Sequence, residues 1–213
     1  MSQVEENSYL LPGARFILAS ASPRRAEILA NVGWRFAVRV ADVDETPHAG
    51  EAPQAYVERL AFDKAIAVVS DIDDDAERMK DEGRLFVLGA DTVVVLDGAV
   101  MGKPVDLTEA KIMLRRLSGR THEVVTGVGL IDAASGAVRV TNERTRVRFA
   151  DLSDAEIEAY VATGEPLDKA GAYAVQGRGS LFIEGIEGDY WNVVGLPVRV
   201  VYRLVKGLME GEN

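Results

Sequence analysis

The most apolar stretch of the chain reads Leu85-Phe-Val-Leu-Gly-Ala-Asp-Thr-Val-Val-Val95. A near-continuous run of aliphatic and β-branched residues is typical of a strand that is covered on both faces of a sheet. Asp91 interrupts this run, and because an isolated charge is very costly to bury, its carboxylate must be paired, metal-bound or functional. The alternative is a turn or capping aspartate at a strand edge. We favour a functional role, since ligands bind at strand ends in open α/β sheets.

Strands and helices are predicted on both sides of this run. An apolar segment at 15–20 is followed by Ser22 and Pro23, which suit the N-cap and the first position of a helix that ends at Gly33. The later periodic segments predict a strand at 34–40, a helix at 53–69, a turn at Asp97-Gly98, a helix at 107–117, a long hairpin at 121–131 and 137–149, a helix at 154–163, a loop-rich region at 165–189 and a closing helix at 196–208. Strand–helix alternation followed by hairpins predicts an α/β protein with a mixed central sheet flanked by helices.

The composition excludes several classes of function. The chain of 213 residues suits a single domain, which we place at 13–210 after an N-terminal extension at 1–12. It has no cysteine, so it holds no disulfide, thiolate metal site or cysteine nucleophile. No apolar run approaches the roughly eighteen residues of a membrane span, and a signal-peptide pattern is missing, so we expect a cytoplasmic protein with no membrane partner.

The net charge and the histidine content limit the kinds of partner and of metal site that the chain can have. The net charge of −10 argues against nucleic acid as a partner, but a small anionic substrate needs only a few basic residues in one place. The chain has two histidines, and His122 within a predicted strand is interpreted as structural. A metal would therefore need oxygen ligands, which favours Mg²⁺ or Mn²⁺.

An arginine-rich turn, Ser20-Ala-Ser-Pro-Arg-Arg25, lies where the first strand meets the first helix. A helix N-terminus offers free N–H groups to an anion, but Arg24 and Arg25 in the first turn oppose the helix dipole. A bound phosphate would resolve that conflict, because arginine grips phosphate with two hydrogen bonds. Two solvated surface arginines are the equally weighted alternative.

Lysines and acids elsewhere could complete an anion site. Lys64 is predicted on the flank of a buried helix face, where it either neutralises phosphate or extends to solvent. Lys103 stands in the constrained turn Gly102-Lys-Pro104. The acids of the loop after the second strand could hold a cation with Asp91, or could be solvated. They are Asp42, Asp44 and Glu45.

A glycine-rich segment, Asp168-Lys-Ala-Gly-Ala-Tyr-Ala-Val-Gln-Gly177, combines opposite charges with small residues and an amide. Such a composition suits a shaped pocket in which Gln176 reads the edge of a base through its paired donor and acceptor groups. Taken without the other motifs, an ordinary turn with a polar surface is the preferred interpretation.

Together these motifs resemble the Maf family of nucleotide pyrophosphatases. The matching segments are ordered along nearly the whole chain: Leu18-Ala-Ser-Ala-Ser-Pro-Arg-Arg25, Tyr56-Val-Glu-Arg-Leu-Ala61 with Lys64, Leu88-Gly-Ala-Asp-Thr-Val-Val94, Gly102-Lys-Pro104, Leu117-Ser-Gly-Arg-Thr-His122, Glu165-Pro-Leu-Asp-Lys-Ala-Gly-Ala-Tyr173, Gln176-Gly177 and Val193-Val-Gly-Leu-Pro197. The leading dozen residues and the acidic stretch 70–84 lie outside the pattern.

The resemblance implies an inosine triphosphatase-like fold with two lobes around a cleft. It implies hydrolysis of a nucleoside triphosphate to the monophosphate and pyrophosphate with a divalent cation. The Asp-Lys-Ala-Gly segment followed by Gln-Gly looks like the branch that acts on dTTP and UTP, not the one that acts on 7-methyl-GTP. Asp91 matches the family's proposed catalytic carboxylate, while Arg24, Thr92 and Gln176 match positions linked to substrate choice. A homodimer is one expected form.

The residues themselves fit such a reaction. Attack of water at the α-phosphorus needs cations on the phosphates, a metal and an oriented water molecule. Asp91 could serve as the base or, with Glu45, as a metal ligand, and the sequence leaves both roles open. The expected substrate contacts are Ser20, Arg24, Arg25, Lys64, Thr92, Lys103, Asp168, Lys169 and Gln176.

Two other functions stay open from the sequence. A nucleotidyltransferase also combines an arginine-rich turn with acidic metal ligands. A nucleotide-binding regulatory protein linked to cell division would bind the nucleotide without turnover.

Overall fold

The computed structural model describes residues 10–72 and 83–211. The strands of this part are β1 Ala14–Ala19, β2 Arg35–Val38, β3 Arg84–Leu96, β4 Ala99–Met101, β5 Thr121–Asp132, β6 Val138–Phe149 and β7 Ile183–Glu187. Its α-helices are α1 Pro23–Asn31, α2 Pro53–Val69, α3 Leu107–Leu117, α4 Asp154–Val161, α5 Tyr190–Val194 and α6 Val198–Glu210. Short 3₁₀ turns occupy Glu165–Asp168, Ala170–Ala172 and Gly177–Phe182.

The strands form one mixed sheet, which confirms the predicted α/β class. Its order is β2-β1-β3-β5-β6-β7, with β4 added beside β3. The pairs β1–β2 and β1–β3 are parallel, whereas β3–β5, β5–β6 and β6–β7 are antiparallel. The long hairpin of β5 and β6, which the β-branched residues predict, is confirmed.

One edge of β3 is left open in the middle. On that edge β1 pairs with β3 as far as Gly89, and β4 begins to pair only at Val94. The opposite edge pairs with β5 throughout this interval. Residues 90–93 therefore face a gap in the sheet, at the end of β1 where the chain turns into α1. Such a change of neighbours is where α/β sheets form clefts.

Both faces of β3 are covered, as its apolar run predicts. Phe86 and Leu88 pack in a cluster with residues of α1 and α6 on one face. Val87 packs with residues of α2 on the other face. A second large cluster surrounds Val94 and Leu96 and includes residues of α3 and α4. The core thus has two large parts, in agreement with the expected two lobes.

Helix α2 lies unusually close to the sheet because glycines face it. A Cβ atom built at Gly127 would lie 2.1 Å from the Val57 carbonyl oxygen, and one at Gly89 would lie 2.0 Å from the Ala61 carbonyl oxygen. Backbone cannot yield to such overlaps without moving the helix. The glycines therefore set the depth at which α2 presents its side chains to β3.

Gly127→Ala is expected to lower the free energy of unfolding by about 3 kcal/mol, because the added methyl group forces α2 away from β5. At this chain length that change corresponds to a fall in Tm of roughly 10 °C, measured by calorimetry. Gly185→Ala is the matched control, since its Cβ would meet only the Arg148 side chain at 3.8 Å. An unchanged Tm in Gly127→Ala would contradict the close approach.

Several predicted boundaries differ from the structure. The second strand is shorter than the predicted 34–40, and the closing helix begins at Val198 instead of 196. The region 165–189, predicted as loop-rich, contains β7 in addition to its turns. Of the expected extension 1–12, residues 1–9 lie outside the described residues, and Leu11 is buried in the core. Residues 73–82 of the acidic stretch also lie outside them.

Within 10–72 and 83–211, no helix combines the length and the apolar character that crossing a membrane requires.

Candidate active site

A cleft of about 560 Å³ opens at the free edge of β3. Members of both large core clusters line it, among them Val175 and Val194 from one and Val94 and Tyr173 from the other. Every residue that the sequence analysis assigns to the site lines this cleft. These eleven are Ser20, Arg24, Arg25, Glu45, Lys64, Asp91, Thr92, Lys103, Asp168, Lys169 and Gln176.

The centre of the cleft is a lysine held between two carboxylates. Lys64 Nζ lies 2.7 Å from Asp91 Oδ1 and 2.6 Å from Glu45 Oε1. The side chains of Lys64 and Asp91 are only 11% and 13% exposed, whereas that of Glu45 is 55% exposed. Asp91 is thus the paired, nearly buried carboxylate that its place in an apolar strand requires. Lys64 reaches it because the glycines opposite α2 admit the helix so closely.

The surroundings of Glu45 favour its charged form. Partial burial opposes ionisation, but the hydrogen bond and charge of Lys64, together with the charges of Lys103 and Arg25, outweigh it and hold the pKa of Glu45 below its ordinary value. Glu45 therefore carries a negative charge at neutral pH and is available as an oxygen ligand.

Arg25 ties three parts of the cleft wall together. Its Nε donates to the Gly195 carbonyl oxygen at 2.8 Å, and its two terminal nitrogens donate to Ser20 Oγ at 2.9 Å and Thr92 Oγ1 at 3.0 Å. Burial lowers the pKa of Arg25, but an arginine stays protonated in proteins, so the cleft keeps this positive charge. The guanidinium thus holds two hydroxyl oxygens of the cleft lining in place.

Arg24 and the glycine-rich segment meet across the cleft. Arg24 Nη1 lies 3.4 Å from Asp168 Oδ2, and Lys169 Nζ lies 2.5 Å from Asp168 Oδ1. Lys169 Nζ also donates to the Glu165 carbonyl oxygen at 2.7 Å. The ion pair of Arg24 with Asp168 is long and partly exposed, so it contributes little stability and leaves Arg24 able to change partner.

The segment that carries Gln176 is fixed at its start and polar at its end. Gly171, at φ 69°, donates its N–H to the Gly102 carbonyl oxygen at 3.0 Å, and a Cβ there would overlap Val94. This contact places Lys103 beside the segment. Gln176 is exposed, and its side-chain amide makes no hydrogen bond to another described residue. That amide is therefore available to a ligand.

Other residues considered from the sequence stay outside the cleft lining. Asp42 and Asp44 do not line it, and Asp44 accepts a hydrogen bond from the Thr46 N–H at 2.9 Å, as in an ordinary turn. His122 is buried, with Nε2 2.7 Å from the Tyr173 hydroxyl oxygen, which agrees with its interpretation as structural. Burial lowers the pKa of His122 to about 4, so it is neutral at neutral pH.

Sequence reasoning misses part of the site. The helical pattern indicates only a packing role for Tyr56, yet it lines the cleft and donates its hydroxyl to the Glu45 carbonyl oxygen at 2.8 Å. Gly195 stands out only as part of a motif, yet its carbonyl oxygen receives Arg25. The φ of Gly195 is 128°. Residues with a Cβ atom rarely adopt this backbone conformation, which explains why a glycine stands here.

Comparison with known sequences shows the family of this chain. A sequence model described as "Maf-like protein" matches residues 15–208. The chain belongs to the Maf family. The matched range includes every cleft residue named above.

Several similar relatives carry the name "dTTP/UTP pyrophosphatase". The protein of that name from Pelotomaculum thermopropionicum is 51% identical over 190 residues, which is 89% of this chain and 94% of the relative. The one from Moorella thermoacetica is 50% identical over 192 residues, covering 90% and 94% of the two chains. The one from Myxococcus xanthus is 53% identical over 182 residues, covering 85% and 86%.

Proposed function

We propose that this Maf-family chain hydrolyses dTTP and UTP in the cleft, giving the nucleoside monophosphate and pyrophosphate. The observation that carries the proposal is the carboxylate pair bridged by Lys64 at the free edge of β3, inside a cleft lined by further cations. The names of the similar relatives support the substrate class.

The triphosphate would lie between the arginine-rich turn and the lysines. Arg24, Lys103 and Lys169 bring partly or fully exposed cations to the cleft, and the N-terminus of α1 adds free N–H groups. Arg25 contributes its buried charge and holds Ser20 Oγ in place to donate to a phosphate oxygen. Thr92 Oγ1 donates to the Gly195 carbonyl oxygen at 3.3 Å and would have to turn its hydrogen to donate to phosphate as well. Replacing its bond to Asp168 by one to phosphate would give Arg24 a more highly charged partner.

The donor set fits a divalent cation that is shared with the substrate. The described residues contain no group of three or more acidic or histidine side chains that could hold a metal ion. Glu45 and Asp91 supply two carboxylates in one place, and Mg²⁺ is commonly bound by one or two carboxylates plus substrate phosphates and water. Glu45 and Asp91 would hold Mg²⁺ or Mn²⁺, which when bound neutralises charge on the phosphate oxygens.

The carboxylate of Asp91 would move the proton. Its Oδ1 receives Lys64, whereas its Oδ2 has no hydrogen bond to a described residue and can orient a water molecule. The water oxygen attacks the α-phosphorus while the bond from that phosphorus to the bridging oxygen of the β-phosphate breaks. Asp91 accepts the proton of the water, and pyrophosphate leaves with the electron pair of the broken bond. Lys64 would hold the Asp91 carboxylate in place for this transfer, and its charge favours the ionised form of Glu45.

Product analysis tests the proposal. With dTTP and Mg²⁺ and no other substrate, we expect dTMP and pyrophosphate in equal amounts. A nucleotidyltransferase would release no pyrophosphate until an acceptor is added, and a regulatory binding protein would bind dTTP without turnover. Either result would replace hydrolysis as the function, and inorganic phosphate with dTDP would place cleavage at the wrong bond.

A further inference from the structure

The loop that carries Glu45 has no regular secondary structure of its own. Residues 39–52 connect β2 to α2 without a helix or strand. A carboxylate on such a loop has many positions available, and ordering each backbone residue costs roughly 1–2 kcal/mol. Something outside the loop must hold Glu45 against Lys64 if it is to bind a cation with useful affinity.

A salt bridge from α2 reaches into this loop. Arg59 Nε lies 2.7 Å from Glu51 Oε1, and Arg59 Nη2 lies 2.8 Å from Glu51 Oε2, so the pair has the two parallel hydrogen bonds of the strongest arginine–carboxylate geometry. The side chain of Glu51 is only 9% exposed, which protects the pair from solvent. Glu51 Oε2 also accepts the N–H of His48 at 3.0 Å, so one carboxylate fixes both ends of the 48–51 turn.

The same region of the helix reaches the neighbourhood of Glu45 directly. Arg59 Nη2 donates to the carbonyl oxygen of Thr46 at 3.2 Å, one residue after Glu45. Tyr56 donates its hydroxyl to the carbonyl oxygen of Glu45 at 2.8 Å, and the Arg59 guanidinium lies 5.5 Å from the centre of the Tyr56 ring. Burial, with the charges of Asp91 and Glu45, raises the pKa of Tyr56, so its hydroxyl remains a donor.

We infer that the Arg59–Glu51 pair positions the Glu45 loop and thereby sets the affinity of the cleft for its divalent cation. The inference rests on the proposed function, in which Glu45 is one of the residues that hold that cation. Helix α2 then fixes two partners at once, because it presents Lys64 to the carboxylates and braces the loop that delivers Glu45. Arg59 and Glu51 are positioning residues and touch neither substrate nor metal.

We expect loss of the Arg59–Glu51 pair to lower the affinity for the metal and to leave the rate of the chemical step unchanged. Residues that orient metal ligands typically change metal affinity 10–100-fold when they are replaced. We expect Arg59→Met and Glu51→Gln each to raise the Mg²⁺ concentration for half-maximal dTTP hydrolysis by about 10-fold. At saturating Mg²⁺ the kcat should stay close to that of the unchanged protein. The effect of the double variant should be smaller than the sum of the two single effects, since both single variants break the same Arg59–Glu51 pair.

The decisive readout is binding of Mn²⁺ by the full chain, measured by electron paramagnetic resonance with and without α,β-methylene-UTP, which resists cleavage. Both variants should weaken Mn²⁺ binding by a similar factor. Arg115→Met is the matched control, because Arg115 also binds a carboxylate, of Asp154, and a carbonyl oxygen, of Leu152, but does not line the cleft. It should leave the Mn²⁺ affinity unchanged.

The outcomes separate this inference from the proposed function. Suppose that Glu45→Gln weakens Mn²⁺ binding while Arg59→Met and Glu51→Gln leave it unchanged, as the control does. The positioning role of the Arg59–Glu51 pair is then wrong, and the metal role of Glu45 stands. If Glu45→Gln leaves Mn²⁺ binding unchanged, the metal role of Glu45 fails and the inference falls with it. Should Arg59→Met fold poorly, Glu51→Gln, which keeps the size of the side chain, tests the same salt bridge.

Discussion

Asp91→Asn is expected to lower kcat for dTTP hydrolysis by about 10²–10⁴-fold, the range associated with loss of a general base. The amide keeps the size of the carboxylate, and its oxygen can still accept the hydrogen bond from Lys64 Nζ. It cannot accept a proton from water, and it removes one of the two negative charges beside Lys64. The loss should therefore appear in kcat, with the fold intact.

A matched control lies six residues further along the chain. Asp97 is an exposed aspartate in the turn after β3, paired with Arg120, and its φ of 53° is one that asparagine also adopts. Asp97→Asn should leave kcat and Tm essentially unchanged. The assignment of Asp91 would be overturned if Asp91→Asn, with a normal Tm, retained a kcat near that of the unchanged protein.

The second large effect expected is in nucleobase preference. We expect kcat/KM for dTTP and UTP to exceed that for ATP, GTP or 7-methyl-GTP by at least about 10²-fold, because a bound substrate covers the Gln176 amide, and a base that leaves a covered polar group unpaired is strongly rejected. The edge of uracil or thymine offers a carbonyl acceptor beside an N3–H donor. The free amide of Gln176 presents the complementary donor and acceptor. CTP is a separate case, since the same amide can turn over to match cytosine.

All triphosphates should be compared under one metal condition, with a matched pair of variants. Gln176→Leu should reduce kcat/KM for dTTP and UTP more than for ATP, because only the pyrimidine contacts lose partners. Gln54→Leu, on α2 and outside the cleft lining, should change none of these ratios. Preference for 7-methyl-GTP would refute the proposed nucleobase specificity while leaving the family membership intact.

The parts of the fold that the sequence predicts well have strong local signals. The apolar run at β3 and the β-branched hairpin of β5 and β6 specify buried strands whatever their neighbours are. Strand β7 is not predicted because its local sequence signal is weak. Among the described strands it pairs with β6 alone, and it contains Gly185, so its residues resemble those of a loop. Its strand geometry comes from tertiary pairing, which local sequence does not encode.

In the candidate site, too, some features have a local sequence signal and others depend on tertiary contacts. Asp91 and the arginine-rich turn stand out because a charge within an apolar run, or two cations at a helix start, conflict with their surroundings. The contact of Lys64 with Asp91 depends on how closely α2 approaches the sheet, and hence on Gly127 and its neighbours. Glycines inside predicted strands indicate that another part of the backbone packs closely against the sheet. They do not identify which helix does so.

The role of Arg59 lies beyond sequence reasoning for a related reason. Its partner Glu51 is eight residues away in a loop without periodicity, and the pair forms only because that loop folds back onto α2. Arginine and glutamate at this spacing occur commonly on protein surfaces with no structural consequence. Their meaning comes from the position of Glu45, which the structure alone supplies.

Hydrolysis of dTTP in ¹⁸O-labelled water, with the products analysed by mass spectrometry, tests the central claim most directly. If water attacks the α-phosphorus in the cleft, dTMP gains one ¹⁸O atom and pyrophosphate gains none. Label in pyrophosphate would show attack at the β-phosphorus and would contradict the role assigned to Asp91 and the cations around it.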